Sequence, residues 1–454
     1  MSRRKIVVHN HNPESVFLVG LEIRTPSRDP SLPPAESLAE LSRLAETAGL
    51  RVAGSDAQKL SNPHPATYVG PGKAEAIREQ IRDLAVETVI FDGELAPGQQ
   101  RNLEQLFGES VKVLDRSALI LDIFAQHAHT REGQLQVELA QYEYRLPRLT
   151  RLWTHLVRQA GGRAGGMAGG VGLRGPGETQ LESDRRQIRQ RITLLKQELE
   201  KVRRHRDAAY RYRRRRGIRT AALVGYTNAG KSSLLNALSR AGEGRAVETA
   251  DQLFATLDPT TRRIRLPRGT QILVTDTVGF INKLPVDLIA AFRATLEGIA
   301  RADLLLQVVD VTSVCTEAHI RTVEQVLKGL GAGNIPRLLV WNKIDLLPHP
   351  PDSESKAAAE GTRVEVSAKN GRNLPLLLKA MEEILKGGLV PIEVLIPYGD
   401  DRLKNLIFEQ GMVEWFRCGP EGTRIRAHVP PSLASRTSSA SQASPTGQAE
   451  NRTP

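Results

Sequence analysis

Gly225-Tyr226-Thr227-Asn228-Ala229-Gly230-Lys231-Ser232 decides how the rest of this chain is read. Two glycines separated by four residues, then Lys and Ser, fit the phosphate-loop pattern. The flanks agree with it. Thr220 to Val224 is a short apolar run of strand character, and Leu234, Leu235 and Leu238 recur at helical spacing in Ser233 to Arg240. Strand, loop and helix in that order let glycine backbone N–H groups close around phosphate oxygens at the positive end of a helix. Lys231 is placed to reach the β- and γ-phosphates, and the Ser232 hydroxyl to bind Mg²⁺. A chance glycine-rich turn is the plainer alternative.

Two further motifs remove that alternative. Asp276-Thr277-Val278-Gly279 follows the strand-like Gln271 to Thr275. An Asp at such a strand end anchors Mg²⁺ from the second shell, and the Gly279 N–H can meet the γ-phosphate. Asn342-Lys343-Ile344-Asp345 follows the strand-like Arg337 to Trp341. The Asp345 carboxylate can accept from guanine N1–H and the exocyclic amine, whereas adenine lacks that donor pair and would leave the carboxylate unpaired. Ser367-Ala368-Lys369, at another strand end, is placed to close over the base. Four motifs in this order mark a GTPase domain, expected over about residues 218–386.

The first switch is expected in Phe254-Ala255-Thr256-Leu257-Asp258-Pro259-Thr260-Thr261. A threonine there would complete the Mg²⁺ sphere, and on chemistry alone Thr256, Thr260 and Thr261 all qualify. Many GTPases place a water-orienting Gln just after the second-switch Gly; here that residue is Phe280, which has no polar group to hold water. Slow hydrolysis by the isolated chain is therefore expected. Asn228 offers a side-chain oxygen near the β–γ bridge, where K⁺ could supply positive charge; a loop-stabilising hydrogen bond is the alternative.

The whole chain has 454 residues, room for two to four domains, and 40% hydrophobic residues, enough for real cores. Cys315 and Cys418 stand far apart in unrelated contexts. They make neither a disulfide framework nor a metal cluster and suit a reducing, cytoplasmic setting. No apolar run approaches ~18 residues, so no membrane span is expected and only weak, peripheral membrane association stays open. Residues Met1 to Asn12 are basic but lack the apolar core of a signal peptide. Net charge is +12, and its distribution says more: Arg145 to Arg219 holds 21 Lys/Arg against 6 Asp/Glu, an excess of 15, which leaves −3 for the remainder. So basic a segment beside a GTPase domain points to a polyanion partner, nucleic acid first, over a merely solvated helix face.

Ahead of that segment, Val16 to Ile23, Leu50 to Ala53, Glu87 to Phe91 and Val111 to Leu114 read as strands. Pro34 to Ala48, Lys73 to Leu84 and Pro97 to Phe107 read as helices. The alternation predicts a small α/β domain with a mostly parallel sheet over residues 14–125. Tyr68-Val69-Gly70-Pro71-Gly72-Lys73 could bind phosphate but lacks the full loop spacing, and a tight turn is the plainer reading. Asp92, at a strand end, is open in the same way.

Residues 126–217 read as a helical hairpin. Leu135, Leu139, Tyr142, Leu146, Leu149, Trp153 and Leu156 step by four and three, with Pro147 expected to interrupt the helix. Leu181, Ile188, Ile192, Leu195, Leu199 and Val202 form the matching stripe. Between them Ala160 to Gly177 is glycine-rich and longer than a hairpin turn requires, which favours a binding tip over a connector. Residues 391–430 read as an α+β module, with strands at Ile392 to Ile396 and Thr423 to Val429 and a helix from Asp400 to Gly411. The Ser/Thr/Gln/Pro-rich tail, 431–454, reads as disordered.

Arg174-Gly175-Pro176-Gly177-Glu178-Thr179-Gln180-Leu181-Glu182, Phe254-Ala255-Thr256-Leu257-Asp258 and Asp276-Thr277-Val278-Gly279-Phe280 together resemble the HflX-type ribosome-associated GTPases. The resemblance covers about residues 14 to 430. It implies binding to the large ribosomal subunit and its rRNA, with the hairpin entering near the peptidyl-transferase region, and GTP-dependent splitting or rescue of stalled ribosomes by a monomer. It also implies Thr256 as the Mg²⁺ ligand, and ATP as a ligand of the N-terminal domain. A GTPase assembling immature large subunits, or an ATP-dependent RNA remodeller switched by GTP, are the competing readings; no helicase-type motif supports the latter.

Overall fold

A computed structural model of the protein describes residues 14–23, 32–108, 110–149, 176–240, 254, 257–283, 293–348 and 363–441. Strands β1 (Ser15–Ile23), β2 (Arg51–Leu60), β3 (Thr88–Phe91) and β4 (Lys112–Asp115) form a four-stranded sheet in the order β2-β1-β3-β4, every pair parallel. Helices α1 (Pro34–Thr47), α2 (Pro71–Asp83) and α3 (Pro97–Phe107) are the crossovers that parallel pairing demands. Strand β2 runs seven residues beyond the expected Ala53. Its exposure alternates strictly through Gly54, Ser55, Asp56 and Gln58, as an edge strand with one wetted face permits. Helix α4 (Arg116–His127), absent from the sequence expectations, follows β4 and is capped by the Asp115 carboxylate, which accepts from Ala118 N at 2.8 Å.

Helix α5 (Arg131–Arg145) starts at Thr130 as N-cap and gives way to a 3-10 turn, Leu146–Arg148, at Pro147. Helix α6 (Pro176–Arg215) runs antiparallel to it for part of its 40 residues. Leu135, Leu139 and Leu195 are buried between the two, with Tyr142, Ile192 and Leu199 packed against them. Ion pairs flank that seam: Arg191–Glu138 at 2.6 Å, Lys196–Glu143 at 2.8 Å and Arg206–Glu132 at 2.9 Å. Part of the basic excess is thus spent inside the hairpin, while Arg186, Arg189, Arg211 and Arg214 stay exposed. Trp153, Leu156 and the loop from Ala160 to residue 175 lie outside the described residues, as does the Leu181 side chain.

The GTPase domain is a six-stranded sheet in the order β10-β9-β8-β5-β7-β6, with β5 (Thr220–Gly225), β6 (Thr260–Arg265), β7 (Gln271–Asp276), β8 (Leu304–Asp310), β9 (Arg337–Asn342) and β10 (Arg363–Glu365). All neighbours are parallel except β6 against β7, and the helices described between these strands and after them are α7 (Lys231–Arg240), α8 (Arg293–Ala300), α9 (Thr316–Gly329) and α10 (Leu374–Lys386). Central β5 and β8 are buried nearly throughout, as a sheet covered on both faces requires. One apolar core joins this domain to the first: Val16, Leu41, Leu119, Ile123 and Phe124 share it with Val224, Tyr226, Phe254, Phe280 and Leu305.

The C-terminal module is an antiparallel sheet, β11 (Val390–Ile396), β13 (Gly422–Val429) and β12 (Met412–Gly419), in that order. The middle-of-sequence strand β12 was not among the expected ones, because it keeps little burial and carries no clear alternation. Helix α11 (Asp401–Gln410) packs on it, capped by Asp400. The expectation of disorder from residue 431 needs correction over its first part. Pro431–Ser441 is a helix, α12, that buries Leu433 and Thr437 against the module. The helix lies against β11, with Leu433 buried and Ala434 packed beside it, and a composition reading misses so small an apolar contact. Residues 442–454 lie outside the described set.

Candidate functional site

Helix α7 (Lys231–Arg240) starts inside the phosphate loop, after Gly230 at φ 88°. A Cβ on Gly230 would strike the Asn342 amide, so only glycine allows the loop to pass so close to β9. Lys231 is buried, and its ammonium donates to the carbonyls of Tyr226 at 2.8 Å and Gly225 at 3.2 Å. Burial pushes the ammonium down to about 8, against the pull of the Asp276 carboxylate. Ser232 Oγ donates to Asp276 Oδ2 at 2.6 Å. A hydroxyl and a carboxylate oxygen so placed are the hard donors that suit Mg²⁺. Gly279 follows on, and a Cβ there would sit 2.9 Å from Lys231 Nζ and 2.8 Å from Thr227 Cγ2, so its backbone lies against the loop. Thr277 Oγ1 turns away, donating to the Leu223 carbonyl at 2.6 Å, and Val278 is buried.

The two motifs expected at the base lie together in the fold. Asn342 Nδ2 donates to the Ala229 carbonyl at 2.9 Å, and Asn342 Oδ1 accepts from Ala368 N at 3.0 Å. One side chain thereby ties the phosphate loop to the Ser367-Ala368-Lys369 turn. Ser367 Oγ donates to Asp345 Oδ1 at 2.6 Å and fixes that carboxylate. Lys343, at φ 71°, pairs with Asp310 at 2.6 Å, and Ile344 is buried. Asn228 takes φ 59°, a left-handed conformation that Asn tolerates better than most side chains.

Part of the stretch expected to be the first switch is described. Ala255 and Thr256 lie outside the described residues. Phe254 packs edge-on against Phe124 of α4, 4.7 Å between centroids, and Leu257 joins the same core. The Asp258 carboxylate accepts from the backbone of His129 and Thr130, both at 2.8 Å. Phe280 is buried in that core too, and its backbone pairs with Gly225 and Thr227.

Tyr226 shows what the sequence could not. Its hydroxyl donates to Glu40 Oε1 of α1 at 2.6 Å and accepts from Asn282 N at 2.8 Å. Glu40 also takes Arg116, which reaches Asp92 at 2.7 Å; Arg116 is 1% exposed. Lys283, just past the second-switch glycine, completes the set on Asp92 at 2.6 Å and Ser37 at 3.0 Å. Burial raises the Glu40 carboxyl above its usual range, with Arg116 opposing. Asp92 is thus a structural partner. The Tyr68–Lys73 loop is satisfied internally as well, Gly70 N on Gln58 Oε1 at 2.7 Å and Lys73 on Asp56 at 2.6 Å. Asp92 and its strand-end position were visible in the sequence; Glu40, Arg116 and Lys283 carried no motif.

With this geometry in place, the comparisons with known proteins fall into register. Residues 35–125 match the family described as GTP-binding GTPase N-terminal, residues 127–215 the GTP-binding GTPase Middle Region, and residues 220–343 the 50S ribosome-binding GTPase. GTPase HflX of Caldanaerobacter subterraneus subsp. tengcongensis is 45% identical over 394 residues, 87% of each chain. The chain belongs to the HflX family of GTPases. GTPase HflX of Escherichia coli strain K12 is 43% identical over 380 residues, 84% of this chain and 86% of its own. Among solved structures, the GTP-binding protein from Sulfolobus solfataricus in complex with GDP is 23% identical, covers 82% of this chain and 98% of its own, and has a TM-score of 0.40. As an HflX-family protein this chain is a ribosome-associated GTPase that binds GTP and GDP and hydrolyses GTP. Among the described residues no helix is long and apolar enough to cross a membrane, and no cluster of His, Cys, Asp and Glu could hold a metal by itself.

His319 stacks on the Tyr226 ring at 3.8 Å. Burial lowers its imidazole to about 4. Between about 4 and the ordinary 6.5 the unfolded chain therefore holds more protons than the native one, and stability rises with pH across that window. His319→Phe keeps the stack and removes the titration. Urea denaturation is expected to show a shallower loss of stability from pH 7 to pH 5 in the variant; an unchanged slope would assign the acid sensitivity elsewhere.

Proposed function

We propose that this GTPase acts on the large ribosomal subunit, its hairpin entering near the peptidyl-transferase region, and that it splits or rescues stalled ribosomes. The observation that carries the reading is the junction of a 40-residue basic helix with the strand that leads into the phosphate loop. Exposed Arg186, Arg189, Arg211 and Arg214 suit rRNA phosphates, and affinity would fall steeply with salt. Gly225 to Ser232 would cradle the phosphates, Gly279 the γ-phosphate, and Asp345 the guanine edge. Ser232 and Thr256 would hold Mg²⁺, with Asp276 behind Ser232, and the ion would neutralise charge on the phosphates. K⁺ at Asn228 would add to that charge. ATP in the N-terminal domain would be met by the Tyr68–Lys73 loop, and the protein would act as a monomer.

Sedimentation of intact ribosomes with the protein and a non-hydrolysable GTP analogue tests this directly. Free subunits are expected, and deletion of Ala160 to Gly177 is expected to abolish them while GTP binding persists. Ribosomes that stay intact, with binding confined to immature large subunits, would reassign the protein to assembly. Single-turnover cleavage, expected to be slow alone and strongly accelerated by large subunits, run in K⁺ and in Na⁺, decides the role of Asn228.

A further inference from the structure

Three donors from the start of α5 converge on one carboxylate of the first switch. The N–H groups of His129 and Thr130 donate to Asp258 Oδ2 at 2.8 Å, and Thr130 Oγ1 donates to Asp258 Oδ1. Thr130 Oγ1 in turn accepts from Gly133 N at 3.1 Å, so Asp258 is the outer half of a helix cap shared between two domains. A carboxylate there also meets the positive end of the helix dipole. The approach is close enough that a Cβ on Gly133 would strike Asp258 Oδ1. The same turn of α5 is tied to the other hairpin helix by Glu132 and Arg206 at 2.9 Å. Four residues back along the switch, Phe254 is held against Phe124 of α4. This stretch is therefore fastened at two points, to the first turn of hairpin helix α5 and to α4 just before it.

We propose that Asp258 is a positioning residue that makes the first switch and the root of the hairpin move together, so that nucleotide state is felt at α5 and load on the hairpin is felt at the nucleotide. Neither phosphate nor base need touch Asp258 for this: its carboxylate works through the first turn of α5. The proposal rests on the assignment of Phe254 to Thr261 as the first switch, and the test separates the two.

Hydrogen exchange is followed in the full-length protein with GDP and with a non-hydrolysable GTP analogue. The wild type is expected to change exchange at residues 257–265 and, by about tenfold or more, at 129–134. Asp258→Ala and, from the other side of the contact, Gly133→Ala are expected to cut the response at 129–134 to about twofold or less while 257–265 still responds. Ala is a better helix former than Gly, so Gly133→Ala should fold at least as well, and a loss of coupling there cannot be traced to a weakened helix. In both variants single-turnover GTP cleavage is expected to fall by about tenfold, as a misplaced switch implies, with nucleotide affinity unchanged in Gly133→Ala. The double variant should be no worse than either single one, since the two remove the same contact. A wild-type response at 257–265 with none at 129–134 would overturn the joint. Silence at both would overturn the switch assignment with it. A response at 129–134 that survives both substitutions would show that the coupling runs through Phe254 instead of Asp258.

Discussion

Asp345→Asn is expected to weaken GTP binding by about a hundredfold and to make xanthosine triphosphate the preferred nucleotide. The carboxylate is already oriented: Ser367 Oγ holds Asp345 Oδ1 at 2.6 Å, and Ser367 Oγ accepts from Asn370 N at 3.1 Å. A guanine edge offers two donors to that carboxylate. An amide at position 345 would set its own N–H group against one of them and leave both poorly paired. Xanthine, with an oxo group in place of the amine, accepts from the amide. Competition binding with GTP, ATP and xanthosine triphosphate reads the outcome; an unchanged order of preference would remove Asp345 from base recognition.

Arg116→Met is expected to destabilise the fold by about 3–5 kcal/mol, the cost of leaving buried charge without its partner. Arg116 lies between two carboxylates, Asp92 at 2% and Glu40 at 3% exposure. Asp92 keeps Lys283 and Ser37 after the change, so the deficit falls on Glu40, which retains only the Tyr226 hydroxyl. Burial already raises the Glu40 carboxyl, and removing the cation raises it further. A carboxyl that is raised in the folded state holds more protons there than in the unfolded chain, so stability in that window falls as pH rises. The variant is expected to recover part of its loss at pH 6 relative to pH 8. Chemical denaturation at the two pH values checks both parts, and a variant equal to the wild type at pH 8 would show the triad to be energetically idle.

The nucleotide motifs were legible because each is a run of adjacent residues whose roles follow from local geometry. Gly230 must be glycine to clear Asn342, and Asn342 must be an amide to donate to Ala229 while accepting from Ala368. The seam of the hairpin was legible from spacing alone, since Leu135, Leu139, Ile192, Leu195 and Leu199 meet as their period requires. The docking of the N-terminal domain on the switches was not. Tyr226 and Glu40 are 186 positions apart, and Lys283 and Asp92 are 191 apart. Periodicity shows which face of a helix is apolar; it cannot show which buried polar groups on separate domains will satisfy one another. Phe280 illustrates the same limit. Its lack of a polar group was plain in the sequence, but its place in a core shared by two domains was not. The short misses, β2 beyond Ala53, β12 and α12, have weak or one-sided patterns that only their neighbours resolve.

Helix α6 reaches the GTPase domain almost without a connector: it ends at Arg215, and β5 begins at Thr220. Near that end it is clamped sideways, Arg203 on Glu297 at 3.1 Å and Asp207 on Arg301. At 1.5 Å per residue the stretch from Arg203 back to Pro176 makes an arm of about 40 Å, so a tilt of about 5° at the clamp swings the free end through about 3.5 Å. The clamp acts as a fulcrum. In such a lever a small displacement at the clamp would be magnified along the arm, and a push on the far end would return to β5 as torque.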